Sequence, residues 1–234
     1  MSTPVMIITG TSKGIGKGLA EYFLNKGYRV FGCSRSEATI THAAYHHTAL
    51  DVSNESAVRL WIRTVKKEAG RIDILVCNAG LVESALQMTV TPGDVLEAYL
   101  KTNVAGTYYV CRETAKTMLL QKQGRIITIS SIMTRLHAPG TSVYSATKSA
   151  IEQMTKVLAR EMAPLGITCN VVAPSMSPTD AAKSFGPEWE KNMLAQQTIQ
   201  RPITTDEIAN VISFYAAPES ACITGQVTYM GLVD

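Results

Sequence analysis

Three side chains in the middle of the chain have the types and spacing of a catalytic group. Tyr144 and Lys148 are four residues apart at the start of a helical pattern, which would place both on one helix face. An ammonium beside a phenol stabilises the phenolate and lowers a tyrosine pKa that starts near ~10. Ser131 follows an apolar run at 126–129, at the end of a predicted strand, where open α/β sheets bind ligands. Together they predict acid–base chemistry on a carbonyl group, with Ser131 bonded to its oxygen.

The same Tyr-x-x-x-Lys spacing also occurs by chance on solvated helix faces. Its meaning therefore depends on whether other parts of the chain build a ligand site around it.

A glycine-rich turn near the N-terminus predicts such a site. The apolar residues 5–8 read as a buried strand, and a helical pattern runs on from the turn to residue 26. Glycines let the backbone approach a pyrophosphate, and a helix N-terminus offers it free amides. The glycines could also serve the turn alone, since their spacing differs from the commoner G-x-G-x-x-G. The predicted cofactor contacts in this turn are Gly10, Ser12, Lys13, Gly14, Ile15 and Gly16.

The end of the second predicted strand, residues 29–33, indicates which dinucleotide is bound. An acidic residue there would bind the ribose 2′-hydroxyl of NAD, but Ser34 and Arg35 occupy the position. Arg35 and Lys13 offer two cations to a 2′-phosphate, which favours NADP(H). The alternative is that both are ordinary surface cations.

Strands and helices continue to alternate, which predicts a doubly wound α/β domain. A short strand at 47–50 ends at Asp51 and Val52, a helix covers 55–69, and a strand at 72–77 ends at Asn78, Ala79 and Gly80. Asp51 is placed to accept a hydrogen bond from adenine, and the turn after residue 77 lets the backbone pass close to the ribose. Both could also be simple strand-ending turns.

Composition excludes several classes of function. The net charge of +3 and the scattered Lys and Arg give no footprint for nucleic acid or an anionic membrane. No apolar run approaches the ~18 residues of a membrane span, and the start lacks a signal-like segment, so we expect a cytoplasmic protein. The five cysteines are expected to be buried apolar residues, and the histidines at 42, 46 and 47 lack a metal-ligand pattern.

Taken in order, these motifs resemble the short-chain dehydrogenase/reductase family over essentially the whole chain. The resemblance rests on the glycine turn, Asp51, Asn78-Ala79-Gly80, Asn103, Ser131, Tyr144-x-x-x-Lys148 and Pro174 with Thr179. It is greatest to ketoreductases of the 3-oxoacyl-acyl carrier protein reductase type, through segments 124–131, 166–174 and 223–226. The implied fold is one Rossmann-type domain over 1–234, with about seven parallel strands and helices on both faces.

The resemblance also implies roles for individual residues. Tyr144 would donate a proton to the substrate oxygen while Lys148 lowers its pKa and holds the nicotinamide ribose. Asn103, in an irregular part of a helix predicted at 95–121, would hold a water that connects Lys148 to solvent. Pro174 and Thr179 would contact the cofactor. A helix predicted at 143–163 would pack against another subunit, giving a homodimer or homotetramer.

The region 175–201 has the composition of a mobile substrate lid. Candidate substrate contacts are Met133, His137, Met176 and Trp189, although ordinary packing would explain each one singly. Three departures from the family pattern stand out: Cys77 replaces an Asn, Ser175 replaces a Gly, and the C-terminus lacks paired glycines. Ser175 could alter the backbone near the nicotinamide, because glycine tolerates φ values that serine does not.

The leading hypothesis is thus an NADPH-dependent carbonyl reductase acting on a small ketone or a 3-oxoacyl thioester. The alternatives are an NAD(P)-dependent alcohol dehydrogenase and a nucleotide-binding regulatory protein without turnover. Such reductases present Arg to an acidic carrier protein at two positions of the pocket mouth, which by alignment correspond to Lys122 and Leu165. With one cation lost, we expect weakened carrier recognition.

Overall fold

A seven-stranded parallel sheet organises the computed structural model, which describes residues 3–82, 86–177 and 186–233. The strand order is β3-β2-β1-β4-β5-β6-β7. The strands are β1 (Val5–Thr9), β2 (Arg29–Ser34), β3 (Tyr45–Ala49), β4 (Ile74–Cys77), β5 (Gly124–Ile129), β6 (Ile167–Ala173) and β7 (Val227–Tyr229).

Helices cover both faces of this sheet, which confirms the predicted doubly wound fold. They are α1 (Gly14–Asn25), α2 (Glu55–Ala69), α3 (Gly93–Tyr99), α4 (Thr107–Gln121), α5 (Met133–Leu136), α6 (Ser142–Met162), α7 (Pro187–Ala195) and α8 (Thr205–Ala216). A π-helix, Leu100–Gly106, joins α3 to α4.

Successive residues of β1 point to opposite faces of the sheet and pack into two different cores. Val5 and Ile7 pack into a core with α2, α4 and α6, whereas Met6 and Ile8 pack into a second core with α1 and α8. All five residues of β1 are buried, because a central parallel strand is covered on both sides. The continuous apolar run that predicted this strand is a consequence of that double burial.

The sheet order reverses between β1 and β4, which defines the position of the ligand site. Chain connections leave β1 toward one edge and β4 toward the other, so a crevice opens between their carboxyl ends. The glycine turn after β1 and the Asn78 turn after β4 both lie at this crevice.

The helix predicted over 95–121 is divided by the π-helix at the irregularity expected near residues 102–106. A side chain on Gly106 would come within 2.8 Å of Val52, so glycine allows close contact between this segment and the turn after β3. The wider turn directs Asn103 inward, with no exposed surface.

All five cysteines are free, and four are buried as expected. The expectation is wrong for Cys222, which is exposed in the turn before β7. Within the described ranges, no helix has the length and apolar character needed to cross a membrane.

Candidate active site

A cleft of about 340 Å³ lies at the carboxyl ends of β1, β4 and β5. It gathers residues that are up to 165 positions apart in sequence, from Gly10 in the glycine turn to Ser175 just after β6. The predicted residues in its lining are Gly10, Ser12, Lys13, Gly14, Ile15, Ser34, Arg35, Asp51, Val52, Asn78, Ala79, Gly80, Ser131, Tyr144, Lys148 and Pro174.

Three of the predicted catalytic and cofactor-binding residues are outside this lining. Gly16 lies beneath the turn, where an added side-chain carbon would be 2.1 Å from the carbonyl oxygen of Gly10. Its role is thus to let the turn close on itself. Asn103 is buried behind the cleft wall, and Thr179 falls outside the described residues.

Hydrogen bonds attach the glycine turn to the turn after β4. The backbone amides of Asn78 and Ala79 both donate to Thr9 Oγ1 at 3.0 Å, and Asn78 Nδ2 donates to the Thr9 carbonyl at 3.0 Å. Gly10 adopts φ +78°, which a side chain would strain, and an added carbon there would press on Asn78 at 2.9 Å. Asn78 therefore positions the turn as well as lining the cleft.

The N-terminus of α1 is left open toward the cleft. Lys13 is its N-cap but makes no side-chain capping bond, and no acidic residue lies in the first turn. By contrast, α8 begins with a capping box formed by Thr204 and Glu207. An uncapped helix end with free amides fits an anionic phosphate group.

Ser131, Tyr144 and Lys148 converge at the opposite end of the cleft. Ser131 is 8% exposed and hydrogen-bonds to the Tyr144 hydroxyl. Lys148 is 4% exposed; its Nζ lies 5.7 Å from the centre of the Tyr144 ring and donates to the Ile129 carbonyl at 2.8 Å. The predicted proximity of the three side chains is present in the fold.

The predicted pKa of Tyr144 needs correction. Burial raises it to about 12, and the hydrogen bond from Ser131 offsets only part of that effect. The Lys148 ammonium, which donates to the Ile129 carbonyl under the ring, does not outweigh this effect of burial. Burial also lowers the pKa of Lys148 to about 8. At neutral pH the tyrosine therefore holds its proton and the lysine is charged.

Asn103 is held by three hydrogen bonds. Its Oδ1 accepts from the Leu81 amide at 2.7 Å, and its Nδ2 donates to the Leu81 carbonyl and to Thr147 Oγ1. A side-chain carbon on Gly80 would lie 3.2 Å from Asn103 Oδ1 and 3.5 Å from Lys148 Nζ. Asn103 and Lys148 thus meet beneath Gly80. The relay water at Asn103 stays a prediction.

The end of the cleft nearest β2 carries exposed charges. Lys13 and Arg35 are both exposed in the lining. Burial alone would raise the pKa of Asp51, but hydrogen bonds from Ser53 and the charges of Arg35 and Lys101 lower it. Arg35 is therefore close enough to Asp51 to act on it electrostatically.

Three of the four candidate substrate contacts belong to one apolar cluster beside Tyr144. Met133 and Met176 are buried there, and Trp189 packs against them. His137 does not join them: it is exposed, with φ +51° at the end of α5, and its contact with the substrate stays a prediction. The sequence reasoning missed Met193, which is buried in the same cluster. Its spacing of four from Trp189 on one helix face was an available signal.

The predicted lid contains α7, while its residues 178–185 fall outside the described part of the chain. Ser175 does not have a positive φ, and its effect on the backbone near the nicotinamide stays a prediction. Lys122 and Leu165 precede the amino ends of β5 and β6. They lie at the opposite edge of the sheet from the cleft, so their predicted place at the pocket mouth is wrong within this chain.

Comparison with known proteins agrees with this geometry. A family model described as enoyl-(acyl carrier protein) reductase matches residues 10–231. The 3-oxoacyl-[acyl-carrier-protein] reductase FabG of Vibrio cholerae is 32% identical over 97% of this chain and 95% of its own length. This chain belongs to the short-chain dehydrogenase/reductase family. The predicted family and enzyme class, an oxidoreductase, are confirmed.

Solved structures of other family members share the fold closely. ElxO, crystallised with NADP bound, has a TM-score of 0.90 and 32% identity, over 98% of this chain and 97% of its own. The aldohexose dehydrogenase of Thermoplasma acidophilum has a TM-score of 0.90 and 28% identity, over 98% and 94%. One scaffold therefore serves relatives whose names describe different substrates.

Proposed function

We propose that this chain reduces a carbonyl group to a secondary alcohol with NADPH, acting on a ketone or a 3-oxoacyl thioester. The observation that carries the proposal is the pair of hydroxyls of Ser131 and Tyr144, hydrogen-bonded at the cleft wall, with Tyr144 protonated at neutral pH. A protonated tyrosine is an acid ready to meet the charge that develops on a reduced carbonyl oxygen.

The residues would divide the work as follows. Ser131 binds and orients the carbonyl oxygen, and Tyr144 gives that oxygen its proton. The charged Lys148 lies under the Tyr144 ring, where it favours the phenolate left after the proton has gone, and it holds the nicotinamide ribose. Asn103 fixes the wall behind Lys148 through its bonds to Leu81 and Thr147.

The cleft fits a dinucleotide with a 2′-phosphate. The open N-terminus of α1 and the left-handed turn at Gly10 form a cradle for the pyrophosphate, and Arg35 and Lys13 supply cations next to Ser34. When bound, a reduced nicotinamide supplies the hydride for the carbonyl carbon. The ElxO structure with NADP supports this choice of cofactor by similarity.

The substrate class is drawn from the apolar side of the cleft and from the relatives. Met133, Met176 and Met193 form an adaptable apolar surface beside Tyr144, suited to an acyl chain or a hydrophobic ketone. FabG, named for its 3-oxoacyl carrier substrate, supports the thioester. A cytoplasmic homodimer or homotetramer remains a prediction.

A second candidate is an alcohol dehydrogenase working in the oxidative direction, in keeping with the aldohexose dehydrogenase neighbour. Oxidation needs a tyrosinate base, which the Tyr144 pKa of about 12 disfavours at neutral pH. A regulatory protein without turnover is disfavoured by the presence of Asn103, Ser131, Tyr144 and Lys148 together in one site.

The proposal is tested by following NADPH consumption against 3-oxoacyl thioesters, simple ketones and cyclic diketones, with the matching alcohols and NADP in the reverse assay. We expect reduction of at least one thioester or ketone at neutral pH. Turnover of alcohols alone would favour the second candidate, and no turnover with any compound despite NADPH binding would favour the regulatory alternative.

A further inference from the structure

A chain of polar contacts runs from the glycine turn to the loop that follows β2. Tyr45 donates from its hydroxyl to Thr11 Oγ1 at 2.8 Å, and the same hydroxyl contacts His47 Nδ1 at 3.1 Å. On the other side of the ring, His47 Nε2 lies 3.1 Å from the Ser36 carbonyl oxygen and 3.4 Å from Ser34 Oγ. One imidazole thus connects both segments that flank the predicted 2′-phosphate site.

Glycine at position 32 makes this chain possible. A side-chain carbon on Gly32 would lie 2.5 Å from both Thr11 Oγ1 and the Tyr45 hydroxyl. The Tyr45 and His47 rings stack at 6.1 Å, side by side along the edge strand β3. The contacts therefore cross the central part of β2 to reach the glycine turn.

Hydrogen-bond direction limits the protonation states of His47 that satisfy these contacts. The Ser36 carbonyl can only accept, so Nε2 must carry a proton to bond it. While Tyr45 donates to Thr11, its oxygen can accept from Nδ1 only if that nitrogen is protonated as well. The contacts as they stand are all satisfied by an imidazolium. In a neutral imidazole, Nδ1 instead accepts a hydrogen bond from the Tyr45 hydroxyl, which then no longer donates to Thr11.

The two other titratable groups facing this chain stay neutral. Burial raises the pKa of Tyr45, against a smaller opposite effect of its bond with Thr11, and burial also raises the pKa of Cys33, whose carbonyl lies behind Thr11. Neither group therefore adds a charge near the imidazole at neutral pH.

The remaining charges at this end of the cleft are Lys13, Arg35 and Asp51. A bound 2′-phosphate would bring a negative charge to this end of the cleft, and a negative charge favours the imidazolium. A cofactor without the phosphate brings no such charge.

We propose that His47 is a positioning residue for the 2′-phosphate loop and that NADPH binding, but not NADH binding, is coupled to proton uptake by its imidazole. The contact from Nε2 to Ser36 orients the loop in either protonation state, and the added charge strengthens phosphate binding at lower pH. This inference rests on the proposed use of NADPH in this cleft.

The neighbouring histidine provides a matched control. His46 points to the other face of β3, where it stacks on Phe31 at 4.7 Å and contacts Arg29 and Glu68. It is as close in sequence as a residue can be, yet it is absent from the chain of contacts to the cleft.

The test measures NADPH and NADH binding by titration calorimetry between about pH 6 and 8, in buffers of different ionisation enthalpy. His47→Gln should weaken NADPH binding about two- to fivefold near pH 6, as expected for one partly exposed charge pair, and less near pH 8. It should leave NADH binding unchanged and lower the proton uptake that accompanies NADPH binding. The direction of the pH dependence distinguishes the two effects: protonation of His47 strengthens NADPH binding as pH falls, whereas ionisation of the cofactor phosphate strengthens it as pH rises. His46→Gln should match the wild type.

A second measurement needs no variant. Among the four histidines, the NMR titration of His47 should shift to higher pH with NADPH and stay in place with NADH. Equal losses of both cofactors in His47→Gln would indicate a structural role, and an unshifted titration would overturn the coupling. If the wild type binds neither cofactor, the proposed function fails instead.

Discussion

The two ends of the cleft are formed by different kinds of groups. The phosphate end uses backbone turns and exposed cations, with Lys13 and Arg35 reaching into solvent. The catalytic end uses buried side chains, with Asn103 and Lys148 almost or wholly without exposed surface. The difference fits the tasks that we propose for the two ends: exposed cations would select an anionic ligand through modest, screened interactions, whereas proton transfer needs groups whose pKa values burial has shifted.

This contrast also explains the different packing beneath each end. At the catalytic end, Glu152 is 6% exposed and accepts hydrogen bonds from Ser130, Thr134 and Tyr229. These bonds hold the segment that carries Ser131 between β5 and α6. At the phosphate end, single contacts such as that from His47 to Ser36 hold a surface loop. We therefore expect substitutions at the buried end to have the larger effects.

The largest effect is expected for Tyr144→Phe. Loss of the acid should reduce kcat by ~10²–10⁴-fold, while NADPH affinity stays near the wild-type value because the ring remains. Stopped-flow turnover and fluorescence titration of NADPH measure the two quantities separately. Tyr108→Phe, an exposed tyrosine on α4, is the matched control. Near-normal turnover in Tyr144→Phe would refute the mechanism.

Arg35→Ala should change the selectivity between NADPH and NADH and leave the rate of the chemical step unchanged. A charge-assisted contact to phosphate contributes ~1.5–3 kcal/mol, so NADPH affinity should fall roughly ten- to a hundredfold. NADH affinity and kcat at saturating cofactor should change little. Arg63→Ala, an exposed arginine of α2 outside the cleft lining, serves as the control. If the wild type binds both cofactors equally well, the roles of Arg35 and Lys13 are wrong.

A smaller effect should follow from the pH dependence of Lys148. Burial lowers its pKa to about 8, so the side chain is charged below that pH and neutral above it. A bond from a neutral amine is weaker by about 1 kcal/mol than one from an ammonium, so NADPH affinity should fall roughly fivefold as pH rises through that value. In Lys148→Met this inflection should be absent. An inflection that persists in the variant would assign it to another group.

Much of the fold was predictable because its signals are local. The continuous apolar run of β1 reflects a strand that is buried on both faces of the sheet. The helical pattern of α2 reflects a helix that is buried along one stripe. Tyr144 and Lys148 are likewise linked by a single helix turn. Asn103 was harder, since only the family resemblance distinguished it from a polar residue tolerated in a helix.

Sequence reasoning was weakest where distant segments meet. His137 follows Met133 by four residues yet is exposed outside its cluster, whereas Met193 enters that cluster from α7. Lys122 and Leu165 were assigned to the pocket mouth from alignment, and the strand directions place them at the other edge of the sheet. Sequence spacing alone contains no information on which edge a loop occupies.

The sequence by itself determined the layered α/β architecture, the family and the identity of the Ser131, Tyr144 and Lys148 set, because these depend on periodicity and on ordered local motifs. Only the tertiary structure decided the protonation of that set and the linkage of His47 to the phosphate loop. Burial and hydrogen-bond direction set both features, and they depend on the surroundings that other segments create in three dimensions.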